Sequence, residues 1–403
     1  MRILWVKVGG LWPLNTGGRL RSFHTISELS RRHQVTLLTT HGPDDDPAGL
    51  RAHLSGCARV MSVPYAIPKV GSVAFVATLL RSWLSPLPLD LWKCRVPALR
   101  EEVARVLGAG QMDLCVADFL AASPNVPLTG RTPVILFEHN VEYMIWKRLC
   151  QVEHRAVRRA LLEIEWRKMR RAEARACRRA TLTVAVSEAD RDMLAADAPR
   201  ARVCSIPTGV DTSFFVSNGA RAAALSLVFT GSMDWYPNED AALHFAETML
   251  PQIRQEIPGV TLTIVGRKPS PRLRAAMAEA KASVTGTVDD VRPYVAQASV
   301  CVVPLRVGGG TRLKIFEALA MGKALVSTTV GAEGLPLVPG EHYLRADEPD
   351  EFARAVVSLL HDPARREALG AAGRRLVEER YSWTQVAREF ETRCEEAMGN
   401  RAR

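Results

Sequence analysis

The chain has 403 residues, 47% hydrophobic and 24% charged, which is enough for two α/β domains with buried cores. No apolar run approaches the roughly 18–20 residues of a membrane span, which sets membrane-spanning functions aside. The formal net charge is +10, yet no recognised nucleic-acid signature accompanies it, so nucleic acid is not an expected partner.

The first residues, 1–10, are too short and too interrupted for a signal peptide and read as a buried strand. Eight cysteines are scattered singly, without a Cys-x-x-Cys pair, which fits reduced thiols and a cytoplasmic protein. Strands are expected at residues 2–8, 34–39, 59–63, 114–117, 133–138 and 182–187, alternating with helices. One helix, 18–31, follows the first strand across a loop bearing Gly9, Gly10, Gly17 and Gly18. Another opens at Ser187 with a plausible cap. Asp44, Asp45 and Asp46 read as a solvated loop.

Residues 64–97 are punctuated by Pro64, Pro68, Pro86, Pro88 and Pro97 around an apolar string. That string is either a mobile flap for a lipid or apolar acceptor, or irregular core packing. Segment 146–179 carries 12 Arg or Lys against 4 Glu, a net of +8. It reads as a long basic helix or helix pair, whose charge suits a solvated face, an anionic membrane surface or, least well, nucleic acid.

The breaker-rich stretch 206–215 marks the domain change. A second series of strands follows at 225–230, 261–265, 284–285, 300–303 and 324–327, with helices starting at Asn238, Ser270, Val291 and Thr311. The tail beyond Asp350 is helical. The boundaries are therefore 1–205 and 206–384, with the last helix, about 385–403, packing back on the first domain.

The run from Pro304 to Gly322 carries the most chemistry. An apolar strand ends, three glycines (Gly308, Gly309, Gly310) make a turn, and a helix opens beside Arg312 and Lys314. Free N–H groups at a helix start attract anions, and glycines let a ligand approach the backbone. On the glycines alone, an ordinary strand-turn-helix reads equally well. Glu317 shifts the balance, because a helix face of Leu313, Phe316, Leu319 and Ala320 does not normally bury a lone carboxylate. The arrangement suits a diphosphate, with Glu317 accepting hydrogen bonds from a sugar's hydroxyls.

Taken in order, a set of motifs resembles the retaining glycosyltransferases of family 4. They are the glycine loop from Pro13 to Arg19, Glu138-His139-Asn140 with Glu142, and Ser187-Glu188 with Asp190. Pro207-Thr208-Gly209-Val210-Asp211, Thr230-Gly231-Ser232 with Pro237-Asn238, Gly266-Arg267 and Thr285-Gly286 with Asp289 follow, then the glycine-rich run. The resemblance covers nearly the whole chain and extends to sugar transferases of bacterial exopolysaccharide assembly. It implies an α/β protein of the GT-B type, two facing Rossmann-like domains with parallel sheets and an interdomain cleft.

The resemblance also implies a nucleotide-diphosphate sugar as donor, a saccharide or lipid-linked acceptor, and no metal or other cofactor. Glu317 matches the second of the family's paired glutamates, which binds the ribose, whereas the first falls at Gly309. Backbone amides of Gly309, Gly310 and Thr311 stand in that place. The loop after Gly231 lacks the basic residues relatives often carry, so Arg267 and Lys314 are expected to hold the diphosphate. The base is expected near Val288. Gly17 and Gly18 are expected to let their loop close on the diphosphate, and His139 to contact the donor sugar or the reacting centre. His139 and Glu317 are the catalytic candidates. Arg21 either faces the same site or is solvated. Retention is expected by front-side attack without an enzymic nucleophile. Rival readings are a GT-B epimerase or phosphorylase, and a nucleotide-sugar-binding scaffold without catalysis. A dinucleotide oxidoreductase is disfavoured, since the first glycine loop lacks Gly-x-Gly-x-x-Gly spacing.

Overall fold

A computed structural model of the protein describes residues 1–14, 16–43, 45–66, 68, 71–217, 223–307 and 312–399. The chain divides into two units, Met1–Pro207 together with the chain from Val386, and Thr208–Gln385. Each is built on one parallel sheet.

In the first unit the strands are β1 (Arg2–Lys7), β2 (Gln34–His41), β3 (Arg59–Pro64), β4 (Leu114–Asp118), β5 (Val134–Phe137), β6 (Leu182–Ala185) and β7 (Val203–Ser205). Their order is β3-β2-β1-β4-β5-β6-β7, every neighbouring pair parallel. Parallel strands are covered on both faces, so they read as continuous apolar runs, and Ile3, Leu4, Trp5 and Val6 are wholly buried. The chain moves outward from β1 through β2 and β3, then returns to β4 on the other side. This makes the β1/β4 edge a switch point, where crevices open beyond the carboxyl ends of the strands. Lys7 and Asp118 are the last residues in register there. The C-terminal Trp383–Gly399 helix seats Phe390 against Trp5 and Phe137, at ring distances of 5.5 and 5.0 Å.

The second unit has β8 (Ser226–Thr230), β9 (Thr261–Val265), β10 (Ser283–Val284), β11 (Val300–Val303), β12 (Ala324–Ser327) and β13 (Leu344–Arg345), in the order β10-β9-β8-β11-β12-β13. Its switch point is the β8/β11 edge. Helices cover both faces, among them Leu313–Ala320, Pro349–His361 and Pro363–Leu376, around one core that includes Phe229, Phe245, Phe316 and Phe352.

The expected strands are all present, and two more join them. β7 and β13 have three and two residues, too short to show a periodicity. The helix expected at Asn238 begins at Tyr236, because Pro237 suits a first-turn position. The apolar string expected as a flap or core packing contains a regular helix, Val73–Trp83, capped by Ser72. The basic segment is a helix pair, Glu142–Val152 and Ala156–Arg179. In the acidic loop Asp46 caps the Pro47–His53 helix and Asp45 accepts from the Gly42 amide, so these two carboxylates do local structural work. Among the described residues no helix is long and apolar enough to cross a membrane.

Candidate active site

The two switch points each gather polar side chains in otherwise apolar surroundings. In the first unit, Asp118 closes β4 and is fully buried. Its Oδ2 accepts from Trp5 Nε1 at 2.9 Å and from Lys7 Nζ at 3.3 Å, and its Oδ1 lies 2.8 Å from His139 Nε2. Burial alone would push the carboxyl's pKa up. Lys7, His139 and Trp5 outweigh it and hold the group well below the usual carboxylate range. The ionised carboxylate only accepts, so the shared proton sits on His139 Nε2 and leaves Nδ1 as a bare acceptor. Burial pushes the His139 pKa down to about 3 despite Asp118, so the imidazole is neutral. Nδ1 is buried and has no hydrogen-bond partner among the described residues.

Phe119 fixes the plane of that ring. The phenyl and imidazole rings stack at 3.7 Å and 6°, and Lys7 Nζ lies 4.2 Å from the phenyl centroid. The residue holds φ 68° and ψ 157°, a region close to glycine's alone, at a cost of about 1–3 kcal/mol. Two bonds anchor the turn: Phe119 N donates to Phe137 O, and Leu120 N donates to Glu138 Oε2. Gly18 makes room, since a Cβ there would lie 2.4 Å from Phe119 Cζ.

Gly17 and Gly18 do not form a loop. They are the first turn of the Gly17–Ser30 helix, whose N-cap is Thr16. Arg21 does not meet solvent. It is fully buried, with its guanidinium on the carbonyls of Glu138, Ala185 and Ile206 and over the Phe137 ring.

Beside this group lie three acids. Burial, with Glu173 and Glu142 nearby, holds the Glu138 carboxyl well above its usual range, and burial raises Glu142 to about 7. Glu173 is raised to about 8 by burial, although it accepts from the Glu142 and Tyr143 amides.

In the second unit the loops after β8 and β9 touch through backbone. Gly231 N donates to Val265 O and Met233 N to Arg267 O. A Cβ at Gly266 would lie 1.6 Å from Gly231 O, so only glycine fits there. Arg267 Nε donates to Ser232 Oγ at 2.7 Å, with Asp234 at 3.6 Å. Lys314, in the first turn of the Leu313–Ala320 helix, donates to Asn238 Oδ1 at 2.6 Å and lies 4.3 Å from the Phe229 centroid. A Cβ on Gly231 would lie 2.8 Å from Lys314 Nζ. Thus Arg267 and Lys314 both reach the loop that itself carries no base.

Burial pushes the Lys314 pKa down to about 7, with Arg312 adding to the effect and Glu317 opposing it. Glu317, one turn further on, is raised to about 7 by burial, with Lys314 opposing. Its carboxyl makes no hydrogen bond with another described residue. Val288 lies in the loop beyond β10 and packs partly against the core. Gly309, Gly310 and Thr311 lie outside the described residues. No three His, Cys, Asp or Glu side chains among the described residues gather as a metal set.

Sequence reasoning missed Lys7, Asp118 and Phe119. One signal was available for Asp118. Like Glu138 and His139 just beyond β5, it is a titratable residue at the carboxyl end of a buried parallel strand.

Two family models match in succession, Glycosyltransferase Family 4 over residues 17–214 and Glycosyl transferases group 1 over 224–362. A GDP-mannose-dependent alpha-(1-6)-phosphatidylinositol monomannoside mannosyltransferase of Mycobacterium tuberculosis is 28% identical over 228 residues, 50% of this chain and 58% of that protein. The match therefore spans little more than half of that relative's length. Among solved structures, sucrose-phosphate synthase from Thermosynechococcus elongatus superposes with a TM-score of 0.72 at 15% identity, covering 99% of this chain and all of the other. Anabaena HepE, solved in complex with UDP, gives 0.68 at 14% identity over 98% of this chain and all of that one. These likenesses establish the GT-B fold. The two successive family models, which together run from residue 17 to residue 362, show that the chain belongs to glycosyltransferase family 4.

Proposed function

We propose that the protein transfers a sugar, with retention of configuration, from a nucleotide-diphosphate donor to an acceptor hydroxyl in cell-surface polysaccharide or glycolipid assembly. The observation that carries this reading is the Lys314 cluster. An ammonium held by Asn238 beside Arg267, at the switch point of the second sheet, meets the charge that develops on a departing diphosphate. Glu317 supplies an acceptor for the ribose hydroxyls. Two cations supply this charge stabilisation without a metal. His139, neutral with a bare Nδ1, receives a hydroxyl proton of the substrate in a hydrogen bond. No enzymic nucleophile is assigned, and the acceptor loses its proton to the leaving-group oxygen. The mycobacterial relative's name, with its GDP-mannose donor and phosphatidylinositol-based acceptor, supports a nucleotide sugar and a lipid-borne acceptor. So does the UDP bound in HepE.

Proton NMR of the pure protein with UDP- and GDP-sugars tests this. Release of nucleoside diphosphate with an α-linked sugar product from an α-linked donor is expected. An inverted product removes retention, and an epimerised nucleotide sugar formed without acceptor would favour the epimerase reading.

A further inference from the structure

Two features of the first unit take no part in either polar cluster. One is the Val73–Trp83 helix. Val73, Val76, Leu80 and Trp83 recur every three or four residues and so share a face, and that face is turned to water, with Val73 88% exposed and the following Leu84 92% exposed. Ser82 is the helix's buried residue. A helix normally hides its apolar stripe, and this one presents it.

The other feature is a groove of about 710 Å3 walled by Arg95, Arg100, Arg175 and Arg179, with Leu87 and Trp92 on its apolar side. Among the described residues no Asp or Glu lines it. Arg158, Arg167 and Arg170 on the same long helix are paired with carboxylates, whereas the four groove arginines have none among the described residues. Arg95 lies over the Trp92 ring, and Arg179 reaches only Thr129 Oγ1 at 3.4 Å. Four guanidiniums around one groove repel one another until an anion enters.

Groove and stripe are joined. Lys168 Nζ donates to Ser82 O at 2.9 Å, and Ser82 Oγ donates to Leu87 O at 3.3 Å. The turn that follows the apolar helix, Ser85 to Leu87, thus becomes a wall of the groove. Val157, Leu161 and Ile164, on the first turns of the long basic helix, are exposed as well.

We propose that this face docks on an anionic phospholipid bilayer, the Val73–Leu84 stripe entering the acyl boundary and the arginine groove taking lipid phosphates. Apolar area next to unpaired cations is the combination an interfacial helix uses. A nucleic acid would satisfy the arginines and leave the stripe wet. The inference extends the proposed function by placing the transferase where lipid-borne acceptors lie, and its test does not depend on turnover.

The test is flotation of the full chain with vesicles of phosphatidylcholine, alone or mixed with phosphatidylglycerol. Binding is expected only with phosphatidylglycerol, weakening as salt screens the charges. The R95Q/R100Q/R175Q/R179Q variant should bind more than about tenfold more weakly. The L80E/L84E variant should lose flotation even at low salt, while excess inorganic phosphate should not displace the wild type. Circular dichroism and thermal unfolding check that both variants fold. Equal binding to both vesicle types, no binding to either, displacement by free phosphate, or indifference to the four arginine substitutions would overturn the proposal. Failure of the protein to bind nucleotides would sink the transferase reading and leave the flotation result standing.

Discussion

Asp118 decides what His139 can do. An acceptor-only carboxylate keeps the imidazole proton on Nε2 and leaves Nδ1 as a buried acceptor without a described partner, the atom proposed above to take a substrate hydroxyl. In Asp118→Asn the amide becomes the donor, so the proton should move to Nδ1, where it blocks that acceptor. Imidazole 15N shifts are expected to show the tautomer reversed. The kcat should fall roughly 10–100-fold, the value of one buried hydrogen bond, with the fold intact. An unchanged tautomer would remove Asp118's positioning role. Lys314 makes a separate prediction about pH. Its pKa of about 7 means that part of the population loses its charge just above neutrality. In the proposed function a bound diphosphate requires that charge, so affinity for a nucleotide sugar should fall by up to about tenfold per pH unit above pH 7. The diphosphate of a nucleotide sugar keeps its own charge over that range, and Lys314→Arg should abolish the falling limb in calorimetric titrations. His139 and Glu317 were legible as titratable residues at the end of an apolar strand and on an apolar helix. The tautomer was not, because it depends on Asp118, 21 positions away.

At the scale of elements, the strands announced themselves through runs such as residues 3–6 and 300–303, because a parallel strand is apolar on both faces. The outward stripe of the Val73–Trp83 helix did not, since a periodic apolar face reads alike whether it meets core or solvent. Arg21 escaped for a related reason. Its charge suggested solvent or ligand, yet three carbonyls enclose it. The acids packed around the end of β5 predict an unusual pH response. Glu138, Glu142 and Glu173 all have folded pKa values above their ordinary values. The folded state therefore binds the extra protons, and their contribution is fully present below about pH 4.5 and lost as pH rises towards 8. Glu138→Gln mimics the neutral acid. The variant should match the wild type's melting temperature near pH 5, exceed it at pH 8 and flatten the slope between them in thermal scans. A wild-type melting temperature that rises over the same interval would contradict the assignment.

For the whole molecule, alternation of strands and helices was enough to read two α/β units. The strand order within each sheet was not legible, because it is set by where each crossover lands and not by any local pattern. Yet that order explains why chemistry collects where it does. Lys7 and Asp118 meet at the β1/β4 edge, and Gly231 and Lys314 meet at the β8/β11 edge, both at positions where parallel sheets leave a crevice.

The most direct test of the central claim is the thermal stability of the wild type and of Glu317→Ala, with and without UDP- and GDP-sugars, paired with a turnover assay. A ligand present at about 100 times its dissociation constant adds roughly 2.7 kcal/mol of stability to the folded state. At least one nucleotide sugar should raise the wild-type melting temperature. Glu317→Ala should melt normally without ligand, lose most of that rise and lose sugar transfer. A wild type that no nucleotide sugar stabilises, or a Glu317→Ala variant that binds and transfers as the wild type does, would contradict the account.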